Sequence, residues 1–132
     1  MSQTNTNTHT SLTTTITTYF TSIDASDLPT TMSLLAPNAT FTIPTAANTT
    51  FTGRGAIYTM LSDFVSRSAK MEHQIQTMVV DERAGKVATQ QRYLGKLVDG
   101  TEKDMPTCNF FDVDDQGRIE RVVFWFSGQN PL

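Results

Sequence analysis

Apolar positions near the start of the chain recur at spacings of three and four. Leu12, Ile16, Tyr19, Phe20 and Ile23 mark one face of a helix. The threonines between them are poor helix formers, so packing must hold this helix in place. Asp27 is placed to cap a second, short helix, with Pro29 tolerated in its first turn. Leu28, Met32 and Leu35 give that helix its apolar face, and Pro37 is expected to end it. Phe41-Thr42-Ile43 then reads as a short strand closed by Pro44, followed by a polar loop from Thr45 to Thr50. Gly53-Arg54-Gly55 opens a third helix with Ile57, Met60, Leu61, Phe64 and Val65 inward.

From Met71 the period changes to two. Glu72–Asp81, Lys86–Val98, Asp104–Val113 and Arg118–Phe126 read as four antiparallel strands. The turns between them, Glu82-Arg83-Ala84-Gly85, Asp99-Gly100 and Asp114-Asp115-Gln116-Gly117, each carry a glycine. Helices first and a strand meander afterwards predict an α+β fold, with helices on one face of a curved sheet.

Composition narrows the function classes. A chain of 132 residues suits a single domain with a substantial core, expected over residues 11–132 behind a disordered polar tail at 1–10. The net charge of -3 and the absence of any Lys/Arg cluster give no footprint for nucleic acid. Cys108 is the sole cysteine and His9 and His73 the only histidines, which argues against a disulfide and a metal cluster. No apolar run is long enough to span a bilayer, and the first ten residues lack the apolar stretch of a secretory signal. A cytoplasmic setting is the expectation. Asn38-Ala39-Thr40 and Asn48-Thr49-Thr50 match the glycosylation pattern and read as chance matches in a threonine-rich chain.

Four segments carry a resemblance: Tyr19 to Leu28 with its Asp24 and Asp27, Leu35 to Phe41, Phe51-Thr52-Gly53-Arg54-Gly55-Ala56-Ile57, and Asp114 to Ile119. In this order the chain resembles the nuclear transport factor 2-like superfamily. That group includes SnoaL-type polyketide cyclases, ketosteroid isomerases, scytalone dehydratase and limonene epoxide hydrolase. The resemblance covers nearly the whole chain after Thr10. It implies a cone-shaped curved antiparallel sheet packed against three N-terminal helices, a deep apolar pocket at the wide end, and a homodimer formed through the outer sheet face. It does not imply one function, because the scaffold hosts enzymes and binding modules alike.

The resemblance also supplies candidate roles. Tyr19 stands where ketosteroid isomerases place an oxyanion-hole tyrosine; the alternative is a core tyrosine. Asn109 takes the place of their protonated carboxylic acid, and an amide can still donate a hydrogen bond; the alternative is a surface amide. Asp24 matches an acidic position of scytalone dehydratase, although aspartate is also common in helix–helix turns. His73 opens the first long strand, a region where related enzymes place a histidine; imidazole suits general base chemistry, but a lone strand-end histidine is more often solvated. Arg54 looks structural. Asp104 is a weaker carboxylate candidate.

The expected substrate contacts are Phe41, Ile43, Tyr58, Arg92, Phe111, Phe124 and Trp125. In the second long strand, Gln90 and Arg92 alternate with Gln91 and Tyr93. Alternation alone leaves open which set faces inward, and the family register favours Gln90, Arg92 and Leu94.

Departures from the relatives matter as well. Ile43 stands before Pro44 where ketosteroid isomerases carry their catalytic aspartate. Val123-Phe124-Trp125-Phe126 lacks the acidic residue that epoxide hydrolases and SnoaL-type cyclases carry in the last strand. The expectation is therefore a cofactor-independent isomerase or cyclase of secondary metabolism. It would act on a hydrophobic polyketide- or terpenoid-type molecule by proton transfer, with Tyr19 and Asn109 as donors and His73 as proton carrier beside Asp24. The alternatives are a non-catalytic small-ligand or assembly module and a dehydratase or epoxide hydrolase on the same scaffold. The cavity discriminates between them: a cone filled by its own phenylalanines leaves no room for a bulky substrate.

Overall fold

The structure is a computed structural model that describes residues 6–127. Helix α1 (His9–Asp24) buries Leu12, Ile16, Tyr19, Phe20 and Ile23, the face set by their spacing. It starts inside the stretch expected to be a tail. The Thr8 hydroxyl accepts from the Ser11 amide at 3.0 Å, and the Ser11 hydroxyl accepts from the Thr8 amide at 2.8 Å. This capping box satisfies two amides that an open helix end leaves unpaired. The Thr6 hydroxyl donates to the Asp115 carbonyl at 2.8 Å, and the His9 amide donates to Glu82 at 2.6 Å. Threonine and serine in this segment thus act as caps and ties. Residues 1–5 of the expected tail lie outside the described residues.

Helix α2 (Leu28–Ser33) begins at Asp27, whose carboxylate accepts from the Thr30 amide. Pro37 does not end this helix. The chain leaves it at Leu34 and enters strand β1 (Leu35–Ile43), with Pro37 in a stretch where the register shifts between Leu35 and Thr40. A proline cannot donate to a ladder, so an irregularity is where a strand tolerates it. The polar loop expected to run to Thr50 gives way at Thr49 to strand β2 (Thr49–Thr52), which pairs with β1.

Helix α3 (Arg54–Ser66) starts at Gly53, whose φ of 89° is open to glycine at little cost. The next residue fixes the turn. The Arg54 guanidinium donates to the Leu35 carbonyl through Nε at 2.9 Å and also through Nη2. The glycine–arginine pair is thus a clamp between α3 and β1, and Arg54 is structural.

Four long strands complete the chain: β3 (Ser68–Asp81), β4 (Lys86–Leu97), β5 (Glu102–Val113) and β6 (Ile119–Phe126). The sheet order is β2-β1-β6-β5-β4-β3. β3 through β6 form an antiparallel meander, while β1 runs parallel to β6. The curved, unclosed sheet wraps the three helices, and the core lies between them. The fold is the expected α+β cone, with one parallel pair among the described strands.

Candidate active site

One end of the core is not closely filled. A cavity of about 40 Å³ opens there, and every layer of the cone contributes to its wall. Helix α1 supplies Tyr19, Phe20 and Ile23; α3 supplies Leu61 and Phe64; β1 and β6 supply Phe41 and Phe124. The polar wall comes from the sheet: His73 on β3, Tyr93 on β4, and Thr107 and Asn109 on β5. Ligand pockets for drug-sized molecules span about 300–1,000 Å³, and a cavity of about 150 Å³ admits benzene. This cavity therefore has room for only a few non-hydrogen atoms.

The strongest polar contact at the cavity joins two residues 49 apart in sequence. His73 Nδ1 lies 2.6 Å from Asp24 Oδ1, and the His73 backbone amide donates to Asp24 Oδ2 at 2.8 Å. Both carboxylate oxygens are thereby used on one residue. The end of α1 supplies Asp24, and the α1–β3 packing brings it to His73. A carboxylate accepts and does not donate, so the Nδ1 proton points at Asp24. Nε2 is left as the free nitrogen of a ring that lines the cavity. Phe20 and Tyr93 hold this ring, with centroids 5.0 and 4.9 Å from it. The side chains of His73 and Asp24 retain 11% and 18% exposure, so the pair is largely but not wholly withdrawn from water.

Two phenols border the same space. Burial pushes the Tyr19 phenol far above its ordinary range, because the cavity would not solvate a phenolate. Tyr93 is pushed up to about 12, mainly by burial and slightly by the charge of Asp24, against a lowering hydrogen bond from Ser68. Both are neutral donors near neutral pH. Gly95 makes room for Tyr93: a Cβ there would lie 2.5 Å from the Tyr93 hydroxyl. A stability consequence follows from the raised phenols. Above pH 10 the unfolded chain releases protons that the folded chain keeps, so the stability present below pH 10 is lost progressively as pH rises towards about 12. Urea unfolding at about pH 9 and about pH 11 should show a lower midpoint at the higher pH, with the phenolate absorbance of Tyr19 and Tyr93 appearing only on unfolding.

Asn109 is 2% exposed and belongs to a buried polar cluster. Gln91, fully buried opposite Thr107, donates from Nε2 to Thr107 Oγ1 at 2.9 Å and to Asn109 Oδ1 at 2.7 Å. Gln91 Oε1 and Thr89 Oγ1 are buried without a hydrogen-bond partner. An unpaired buried acceptor costs roughly 1–3 kcal/mol. Among the described residues no group of three or more potential metal ligands occurs.

The expected site residues thus divide. Tyr19, His73, Asn109, Phe41 and Phe124 line the cavity, and Asp24 stands behind His73. Phe111 does not line it. That ring is buried behind Tyr19 and Phe20, edge-on to both at 5.2 and 5.9 Å. Ile43 is buried but lines a separate groove of about 570 Å³ between the β1–β2 hairpin and α3. Tyr58 is 46% exposed on α3, away from the cavity. Trp125, 42% exposed, lies on the outer sheet face beside Phe110 and Val123.

The largest correction concerns β4. Val87, Thr89, Gln91 and Tyr93 face inward, while Gln90 and Arg92 face out. Arg92 pairs with Asp104 on the outer face, through Nε–Oδ1 at 2.8 Å and Nη2–Oδ2 at 2.6 Å, and this contact raises the guanidinium's pKa and lowers the carboxyl's. Leu94 is half-buried. Charge carries the reason: Lys86, Arg92 and Lys96 share one parity on this strand, and three cations cannot be desolvated inside an apolar cone. Among the residues not foreseen as site residues, Tyr93 had a readable signal in Gly95 two positions on, which leaves space on the same face for a large ring. Thr107 had none.

With this geometry in place, comparison with known proteins identifies the lineage. A family model described as the SnoaL-like domain matches residues 16–122. The chain belongs to the SnoaL-like domain family. No curated protein matches the chain. Among solved structures, this SnoaL-like chain is similar to a protein assigned as a SnoaL-like polyketide cyclase from Shewanella denitrificans, at a TM-score of 0.79 and 14% identity, covering 88% of this chain and 90% of that one. It is also similar to one assigned as a polyketide cyclase from Xanthomonas campestris, at a TM-score of 0.75 and 19% identity, covering 89% and 91%. An LEH-like epoxide hydrolase from M. tuberculosis aligns at a TM-score of 0.76 and 19% identity, covering 89% and 84%. At these identities the likeness establishes the nuclear transport factor 2-like fold, and the SnoaL-like site must be read from its own residues.

Proposed function

We propose that this SnoaL-like protein catalyses cofactor-independent proton transfer on a carbonyl compound, with His73 as the base. The observation that carries the reading is the Asp24–His73 pair at a cavity whose other polar groups include Tyr19, Tyr93, Thr107 and Asn109. His73 Nε2 takes a proton from the carbon next to the carbonyl. The electron pair of that C–H bond moves onto the carbonyl oxygen, where the Tyr19 hydroxyl and the Asn109 amide donate to it. Return of the same proton from Nε2 to a different carbon gives an isomer; attack of the enolate carbon on a second carbonyl of the same molecule, whose oxygen receives the electron pair of its C=O bond and takes the proton from Nε2, gives a ring. Neither outcome needs an oxidant or reductant. Low polarity around the phenols and the amide strengthens each donation relative to water.

Cavity size revises the expected substrate. A polycyclic polyketide does not fit into about 40 Å³. The substrate is a small carbonyl compound, or one that inserts only a slender reacting end. The same smallness favours the second reading, a non-catalytic module that holds a small ligand, in which case His73 would move no proton. A panel of small ketones and aldehydes in deuterium oxide separates the two. Catalysed exchange at the carbon next to the carbonyl, followed by proton NMR, is expected for at least one member. Exchange no faster than in buffer across the panel, by a protein that binds members of it, would favour the binding module.

A further inference from the structure

Resting on that reading of the cavity, we infer that Gln91 is a positioning residue that turns the Asn109 amide so that its NH2 group faces the cavity, making this wall a receptor for an oxygen acceptor. Gln91 has two Nε2 protons, and both are used within the sheet. One goes to Thr107 Oγ1, directly across the β4–β5 ladder, and the other to Asn109 Oδ1, two residues further along β5. With Oδ1 taken, the end that Asn109 presents to the cavity is Nδ2. With the Thr107 oxygen accepting from Gln91, its own proton is directed elsewhere, and Thr107 also lines the cavity. The Tyr19 hydroxyl, on the opposing helix, is a third donor there, kept neutral by burial.

The reverse orientation of Gln91 is disfavoured by its surroundings. Turned over, its Oε1 would accept from Thr107 and Asn109, and the Asn109 oxygen would face the cavity. The Gln91 NH2 would then occupy the buried position where Oε1 has no partner. Two unpaired amide protons in a core are rarer in proteins than one under-used carbonyl oxygen. The chosen orientation also sets the ligand class. Donors on the sheet wall and on α1 accommodate a carbonyl or carboxylate oxygen. The Asn109 NH2 offers nothing to an ammonium group, which has only protons to give and would have to pair elsewhere in the cavity, at His73 Nε2.

Two measurements on the full-length protein test this. The first needs no ligand. In isotope-labelled protein, a coupling across the hydrogen bond should link Gln91 Nε2 to the Asn109 side-chain carbonyl carbon, and none should link Asn109 Nδ2 to the Gln91 side-chain carbonyl carbon. The second uses formate and methylammonium, small probes of opposite hydrogen-bonding sense. Formate should shift the Asn109 amide resonances and methylammonium should not. In Gln91→Met, which keeps the length and removes the donor, formate should bind at least about tenfold more weakly and should no longer shift the Asn109 amide resonances in the wild-type sense. A purely structural Gln91 would lower the melting temperature while leaving formate affinity and the Asn109 response to formate in place. A coupling from Asn109 Nδ2 to the Gln91 side-chain carbonyl carbon, or methylammonium rather than formate shifting the Asn109 amide resonances, overturns the inference. These readouts involve no turnover, so they stand or fall separately from proton exchange on the panel of ketones and aldehydes.

Discussion

Asp24→Asn is expected to lower the rate of proton exchange by about 10²–10⁴-fold, close to the loss expected for His73→Ala. The equality is the informative part. Asp24 does not line the cavity and both of its carboxylate oxygens are bonded to His73, so its main effect passes through the imidazole. The carboxylate holds the proton on Nδ1 and leaves Nε2 able to accept. An amide in its place has one oxygen for two donors. If that oxygen keeps the His73 backbone amide, the NH2 of the substituted side chain faces Nδ1 and drives the ring proton to Nε2. The ring would remain in position, held by Phe20 and Tyr93, with its basic nitrogen turned away from the substrate. Nitrogen-15 shifts of His73 read that tautomer directly. The folded variant should lose roughly 1–3 kcal/mol of stability, from the poorer hydrogen bonding. A variant with the altered tautomer and an unaltered exchange rate would make the pair a structural tie between α1 and β3.

How far the sequence disclosed this site depends on the element. The helix α1 pattern places Tyr19 and Phe20 inward, as observed, because a period near 3.6 with five large apolar residues admits one buried face. The strands β3 to β6 are legible from their turns, each built on a glycine at positive φ. β1 is longer than its apolar pattern suggests, because the register shift absorbs a proline that otherwise marks a boundary. On β4 both faces carry polar residues, so alternation alone does not decide which is buried. The partners of Gln91 are Thr107 and Asn109 on the next strand, a tertiary fact that no spacing within β4 reports. Cavity size is still less legible. It depends on how closely Phe20, Phe41, Phe64 and Phe124 meet across four elements, and an aromatic-rich sequence is compatible with an open cone or a filled one.

The second large effect distinguishes a pocket wall from its support. Phe111→Ala is expected to cost about 3–5 kcal/mol, because the ring is fully buried and its removal leaves a void that a β-sheet cannot close. For a domain of this size that corresponds to a fall in Tm on the order of 10–20 °C. Phe111 is edge-on to Tyr19 and Phe20, and Phe20 in turn packs against His73. The loss therefore reaches both the donor and the base without touching bound substrate. In the fraction that stays folded, kcat should fall more than KM rises, since the variant loosens groups that act in the transition state and leaves the cavity wall in place. Phe124→Ala offers the contrast. Its ring lines the cavity, so the variant should enlarge the space and change which ketones in the panel exchange. Urea unfolding and the exchange panel measure both effects. A Phe111→Ala protein within about 1 kcal/mol of wild type, with altered substrate range instead, would put this ring at the substrate and move the working cavity deeper into the cone.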